Sequence, residues 1–196
     1  MGGMTMAKLV LAMFTSLDGY IEGPNGFVPP AWSGDLETHW SGHALERAGH
    51  LVYGRTNFLF NKEFWEPAET DPASPAAGVS HAAVMNRLPK TVVSSTLSGD
   101  PGWNASLAGP DLPAAIGALK ASLTGKDIYC FGGAGVANSL ISLDLVDEYR
   151  LMVTPVIFGD GKRLFGPGLP KLGLELVENR PLDTGAVILH YRRKHS

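Results

Sequence analysis

The 196-residue chain is long enough for one domain with a full core. Hydrophobic residues at 44% and charged ones at 18% exclude wholesale disorder. A formal net charge of −3 offers no basic field for nucleic acid, and no apolar run approaches the roughly 20 residues of a membrane helix.

Residues 1–5 (MGGMT) read as a start-site remnant, and the N-terminus lacks the long apolar core of a signal peptide. Residues 8–14 (KLVLAMF) are nearly all apolar, as expected of a central strand covered on both faces. They run into a turn over 15–21. Gly23-Pro24-Asn25-Gly26 and Pro29-Pro30 then predict a long irregular loop. Helical character spans 35–48, with Ser33 or Asp35 as the N-cap. A second strand is expected at 51–54, and Arg55-Thr56-Asn57 opens a helix over 58–64. Residues 66–78, rich in proline, alanine and acids, predict a surface loop, and 81–88 one or two helical turns. A third strand at 91–94 leads into Ser95-Thr96-Leu97, and Pro113 starts a helix over 113–123.

The stretch 126–165 organises the chain. Residues 127–131 predict a short buried strand, followed at once by Gly132-Gly133. Residues 134–142 then place Val136, Leu140, Ile141 and Leu143 at helical spacing. A run rich in β-branched residues at 148–157 ends at Pro155 and Gly159-Asp160-Gly161. Glycines between a strand and a helix let backbone N–H groups approach an anion, and the helix dipole favours it. A nucleotide phosphate is the expected guest, with a plain tight turn as the alternative. Gly133-Ala134-Gly135 begins a GxGxxG, but Asn138 replaces its third glycine and too little chain follows for a doubly wound domain. A Rossmann arrangement is therefore excluded.

Residues 174–179 and 186–192 predict two antiparallel strands joined near 181–185. Alternating strands and helices with this closing hairpin imply an α/β sheet, mainly parallel, with antiparallel strands at one edge. Cys130, the single cysteine, rules out an internal disulfide, leaves a cytoplasmic default and reads as an inert core thiol. His39 and His43 share a helix face, but without a third ligand no metal site is expected. Asp147-Glu148 reads as a capping or surface acidic pair, and Gly159-Asp160-Gly161-Lys162 as a hairpin-type turn.

Three strand ends share small, hydroxyl or cationic residues: Gly54-Arg55-Thr56-Asn57, Ser94-Ser95-Thr96 and Gly132-Gly133-Ala134-Gly135. Ligands of open α/β sheets lie along the carboxyl ends of the strands, so three such ends can follow an extended nucleotide. Helix capping accounts for any one of them singly.

These pieces resemble the dihydrofolate reductase-like fold, and more closely the C-terminal reductase domain of the riboflavin-biosynthesis deaminase/reductase. The resemblance runs from residue 8 to about 193. It is carried by Ser16-Leu17-Asp18-Gly19-Tyr20-Ile21, Tyr53-Gly54-Arg55-Thr56-Asn57-Phe58 and Val93-Ser94-Ser95-Thr96-Leu97. Most specific is Phe131-Gly132-Gly133 with Leu145-Val146-Asp147-Glu148-Tyr149 and Pro155-Val156-Ile157-Phe158-Gly159-Asp160-Gly161. The resemblance implies a three-layer single domain with helices on both faces of the sheet, and NADPH as cofactor. Gly54, Arg55, Thr56, Asn57, Ser94, Ser95 and Thr96 would hold the adenosine 2′-phosphate and neighbouring groups. Gly132, Gly133, Ala134, Gly135 and Val136 would cradle the pyrophosphate, while the turn with Ser16, Asp18 and Gly19 would face the nicotinamide. Threonine is usual in the family where this chain has Asn57.

By the same resemblance Asp35 is the catalytic proton donor, a helix N-cap being the alternative. The zinc-deaminase signatures H-x-E and P-C-x-x-C are absent. The implied activity is NADPH-dependent reduction of a small pterin-, ribosylaminopyrimidinone- or carbonyl/imine-type compound. A non-catalytic NADPH-binding or sensing protein is the alternative. The resemblance also implies a homodimer near the C-terminal hairpin, and exposed strand edges favour covering.

Overall fold

The computed structural model describes residues 6–194, and the remnant expected at 1–5 lies outside the described residues. In chain order the elements are β1 (Leu9–Ser16), β2 (Tyr20–Glu22), α1 (Gly34–Leu36), α2 (His43–Arg47), β3 (Ala48–Gly54), α3 (Arg55–Trp65) and α4 (Ala82–Arg87). There follow β4 (Lys90–Val93), β5 (Ala105–Leu107), α5 (Leu112–Ser122), β6 (Asp127–Cys130), α6 (Ala134–Ser142), β7 (Glu148–Thr154), β8 (Lys162–Arg163), β9 (Leu174–Pro181) and β10 (Val187–Arg193).

Eight strands make one sheet in the order β5-β4-β3-β6-β1-β7-β10-β9. The first six run parallel, and β10 and β9 close the far edge antiparallel. The apolar run at the start of the chain has a direct cause. β1 lies between β6 and β7, and its alternate side chains enter two separate cores. Val10 and Ala12 pack with Leu36, Trp40, Phe58 and Met85 on one face. Leu9 and Leu11 pack with Ile116, Ala137, Leu140 and Ile141 on the other. Helices thus cover both faces, and neither strand face can be polar.

The helix expected at 35–48 is a continuous run in which a π-helical stretch, Glu37–Gly42, joins α1 to α2. Ser33 caps it from an extended backbone, its Oγ accepting from the Leu36 N–H at 3.1 Å. Leu143, expected on the buried face of α6, is instead its exposed C-cap.

Two small pairings depart from the expected pattern. β5 adds three residues parallel to β4, too few to show a period. The hairpin-type turn expected at Gly159-Asp160-Gly161-Lys162 is corrected: β8 pairs antiparallel with the distant β2. Gly161 makes this possible. Its φ is +128°, and a β-carbon there would lie 2.1 Å from the Glu22 carbonyl oxygen, so only glycine fits.

The surface reading of Asp147-Glu148 is also corrected. Asp147 accepts from the Leu9 N–H at 2.7 Å and so caps the entry to β1. Glu148 is 5% exposed and meets Lys8 Nζ at 2.7 Å, His190 Nε2 at 2.8 Å and Arg192 Nε at 3.3 Å. A carboxylate at a strand start is buried here because Lys8, His190 and Arg192 from other elements surround it.

Candidate functional site

β3 lies between β4 and β6, so the turns that follow these three parallel strands emerge side by side. Between them is a cleft of about 830 Å³. Its lining includes Gly54, Arg55, Thr56, Asn57, Ser94, Ser95, Thr96, Gly133, Ala134, Gly135 and Val136. Gly132 sits just behind the lining and fastens two of the turns. Its carbonyl accepts from the Gly54 N–H at 2.9 Å, and beside it Asn57 Nδ2 donates to the Phe131 carbonyl at 2.6 Å. The asparagine that departs from the family's threonine therefore ties α3 to the end of β6.

Gly132 has φ +117°, and a β-carbon there would meet Met13 Sδ at 2.9 Å and Asn57 Nδ2 at 3.2 Å. Left-handed backbone costs a residue with a β-carbon roughly 1–2 kcal/mol. Gly132→Ala is expected to lower Tm by about 2–8 °C in calorimetric unfolding. An unchanged Tm would mean that the two turns are not fastened here.

The cleft suits an anion. α3 and α6 both begin on glycine, Gly54 and Gly133, with no side chain capping the first turn. Their first N–H groups face the cleft unclaimed by side chains. By contrast Asp111, at the head of α5, accepts from the Ala114 N–H at 2.9 Å. β-Carbons built at Gly133 and Gly135 would meet nothing within 4 Å, which leaves room for close approach to the backbone. Among the described residues lining the cleft there are two cations, Arg55 and Lys162, and no carboxylate. Ser94 Oγ is spent on its own turn, accepting from the Thr96 and Leu97 N–H groups, whereas Ser95 and Thr96 are exposed. Donor-rich walls and open glycines fit a phosphate-bearing guest.

The expected nicotinamide turn stands apart from this lining, at the end of the adjoining β1. Ser16 Oγ donates to Asp18 Oδ1 at 2.6 Å and accepts from the Tyr20 N–H at 2.9 Å. Asp18 also accepts from the Phe158 and Gly159 N–H groups. The Ser16 hydrogen bond, helped by those two N–H groups, holds its carboxyl down at about 2. Ser16 and Asp18 thus shape the turn containing Gly19 and bind it to the loop after β7.

Asp35 lies at the same end of the sheet but outside the cleft lining. Its Oδ2 accepts from the Asp183 N–H at 3.0 Å, and its Oδ1 lies 3.4 Å from His39 Nε2. The carboxylate therefore joins α1 to the turn between β9 and β10. His43 is half-buried, and burial with the nearby Arg150 charge pushes its imidazole down to about 4. Among the described residues no three potential metal ligands stand together. Cys130 is fully buried, and burial pushes its thiol up to about 12.

Sequence reasoning missed Lys162, which reaches the cleft because β8 is held against β2 and which pairs with Glu22 at 3.3 Å. A lysine directly after a Gly-x-Gly turn was the available signal. Asn138, in place of a third glycine, also has a purpose. Its amide donates to the Leu164 carbonyl and accepts from the Gly166 N–H, fixing that loop to α6.

A family model described as the RibD C-terminal domain matches residues 7–188. The uncharacterized protein YyaP of Bacillus subtilis (strain 168) is 29% identical over 185 residues, covering 94% of each chain. Among solved structures, a protein provisionally named for riboflavin biosynthesis from Shewanella sp. PV-4 matches with TM-score 0.74 at 22% identity. That match covers 96% of this chain and 99% of the other. The diaminohydroxyphosphoribosylaminopyrimidine deaminase/5-amino-6-(5-phosphoribosylamino)uracil reductase of Thermotoga maritima matches with TM-score 0.64 at 14% identity. There the match covers 96% of this chain and 57% of the other.

Proposed function

Because the chain belongs to the RibD C-terminal domain family, we propose that it is an NADPH-dependent reductase of a small compound with a C=N or C=O bond. The observation that carries this reading is the cleft where three strand ends meet with two cations and open glycines. Arg55 would fork onto the 2′-phosphate, supported by Ser95 and Thr96. Backbone N–H groups from Gly133 to Val136 would receive the pyrophosphate, with Lys162 adding a second positive charge. The turn at Ser16, Asp18 and Gly19 would present the nicotinamide to the substrate. When bound, the reduced cofactor supplies a hydride. The chain's share of the chemistry is to position both partners and, where the product needs a proton, to deliver it from Asp35.

The test is NADPH oxidation, followed at the nicotinamide absorbance band with pterins, ribosylaminopyrimidinones and cyclic imines. Turnover with one of these is expected, and Asp35→Asn should lower kcat by about a hundredfold with the NADPH Kd unchanged. Tight NADPH binding without oxidation of any compound would favour a sensing role. No binding at all would overturn the reading. A homodimer covering the exposed edge strand β9 and a cytoplasmic location complete the proposal; light scattering at twice the chain mass checks the first.

A further inference from the structure

We propose that the substrate end of the site takes a planar compound that carries no phosphate. This rests on the reductase reading, because it names the substrate of that same site. Exposed apolar side chains lie on the segments beyond the cleft, along the same edge of the sheet. Phe60 lies one turn along α3 from the cleft residue Thr56, and the ring of Phe27 meets it edge-on at 6.4 Å between centroids. Trp32 stands 57% exposed at the head of α1. At the ends of β1 and β7, Leu17 and Ile157 are exposed, and the Leu17 N–H donates to the Val156 carbonyl at 2.8 Å. Exposed aromatic faces beside a polar cleft suit a flat ring.

The charges around this face disfavour a phosphate. The segment 9–46, which supplies its β1 turn, loop and helix start, contains neither lysine nor arginine. The loop 155–161 and the turn 182–186 contain none either. What these segments offer instead are carboxylates. Asp35 accepts from the Asp183 N–H, Ser33 Oγ donates to Asp183 Oδ1 at 2.6 Å, and Trp32 Nε1 donates to Glu37 at 3.4 Å. His39 and His81 each face one of these acids, Asp35 and Glu37, at 3.4 Å.

The cations of adjoining elements are committed elsewhere. Lys62 Nζ donates to the Pro101 carbonyl, and Lys162 lines the cofactor cleft. Arg163 lies over the Tyr20 ring at 4.6 Å. Arg150 is buried between Glu178 and the His39 carbonyl, and Arg180, at the end of β9, pairs with the same Glu178 at 2.9 Å. Forked or ammonium donors hold a phosphate monoester most strongly, and a dianion beside carboxylates is repelled. The cleft and this face thus divide the labour: one is built for an anion, the other against it.

Calorimetry of the NADP⁺-loaded protein with a ribosylaminopyrimidinone and with its 5′-phosphate tests the proposal. The unphosphorylated compound is expected to bind about tenfold tighter or more, and Glu37→Gln should narrow that gap. Trp32→Ala should weaken the unphosphorylated compound about tenfold while leaving NADP⁺ affinity in place. Equal or tighter binding of the 5′-phosphate would overturn the proposal, as would binding of neither compound or indifference to Trp32. Repeating the titration without cofactor separates the two readings. A failure of dinucleotide binding counts against the reductase assignment, while the preference between the paired compounds still reports on the face.

Discussion

Arg55→Ala should weaken NADPH binding by roughly ten- to a hundredfold while NADH binding changes by less than about twofold. Arg55 is the first residue of α3 and is exposed, and among the described residues no carboxylate pairs with it. Its guanidinium is therefore not needed to hold the fold together. Charge-assisted hydrogen bonds to an anion contribute about 1.5–3 kcal/mol, which sets the expected loss. NADH lacks the 2′-phosphate, so it has nothing for this fork to grasp. Arg55→Lys should fall between, because an ammonium keeps the charge but cannot bind two oxygens in one plane. The advantage of NADPH should also shrink with salt, since the site is open to solvent. Calorimetry with both nucleotides at two ionic strengths makes the measurement. Equal losses of NADPH and NADH in Arg55→Ala would remove the 2′-phosphate assignment while leaving the fold untouched.

Those features of the site that depend on local chemistry were readable before any coordinates. Glycine, hydroxyl and arginine clusters after apolar runs mark strand ends, and a parallel sheet carries such ends to one edge. Hence the turns at Gly54, Ser94 and Gly133 could be grouped, and the structure lines one cleft with all three. β1 and α6 were legible because burial imposes its own period: both faces of β1 are covered, and Val136, Leu140 and Ile141 share one side of α6. What stayed hidden depends on partners far away in the chain. Lys162 reaches the cleft only because β8 pairs with β2. The three-residue β5 has no period to read. At the turn of Ser16 and Asp18 the sequence does not reveal that the polar atoms largely satisfy each other and the loop at Phe158 and Gly159, which shapes the turn whatever it presents to a ligand. Hydroxyls and acids at a strand end serve a turn as readily as a ligand, and composition does not separate the two.

Glu148 shows the same limit on the side of stability, and its replacement should have a large effect. Glu148→Ala at neutral pH is expected to cost about 2–3 kcal/mol, because it removes a buried acceptor from His190 while Lys8 and Arg192 turn to solvent. For a chain of this length that is a fall in Tm of roughly 4–12 °C. The effect must depend on pH, and its sign follows from the carboxyl itself. Burial alone would push it up, but the His190 and Lys8 hydrogen bonds, with the positive charges of both, pull it down to about 2 from an ordinary 4.5. A carboxyl lowered on folding stabilises the native state fully above its unfolded value and loses that contribution as pH falls toward the folded one. Wild type should therefore give up about 3 kcal/mol from this group between pH 5 and 2. Glu148→Gln carries no titrating group and should lack that component of the acid response, so the stability curves of the two proteins should converge as the acid is added. Urea unfolding at pH 7, 5 and 3.5 follows the convergence. A constant gap across that range would mean that Lys8, His190 and Arg192 do not depend on the carboxylate charge, and Glu148 would then act by packing alone.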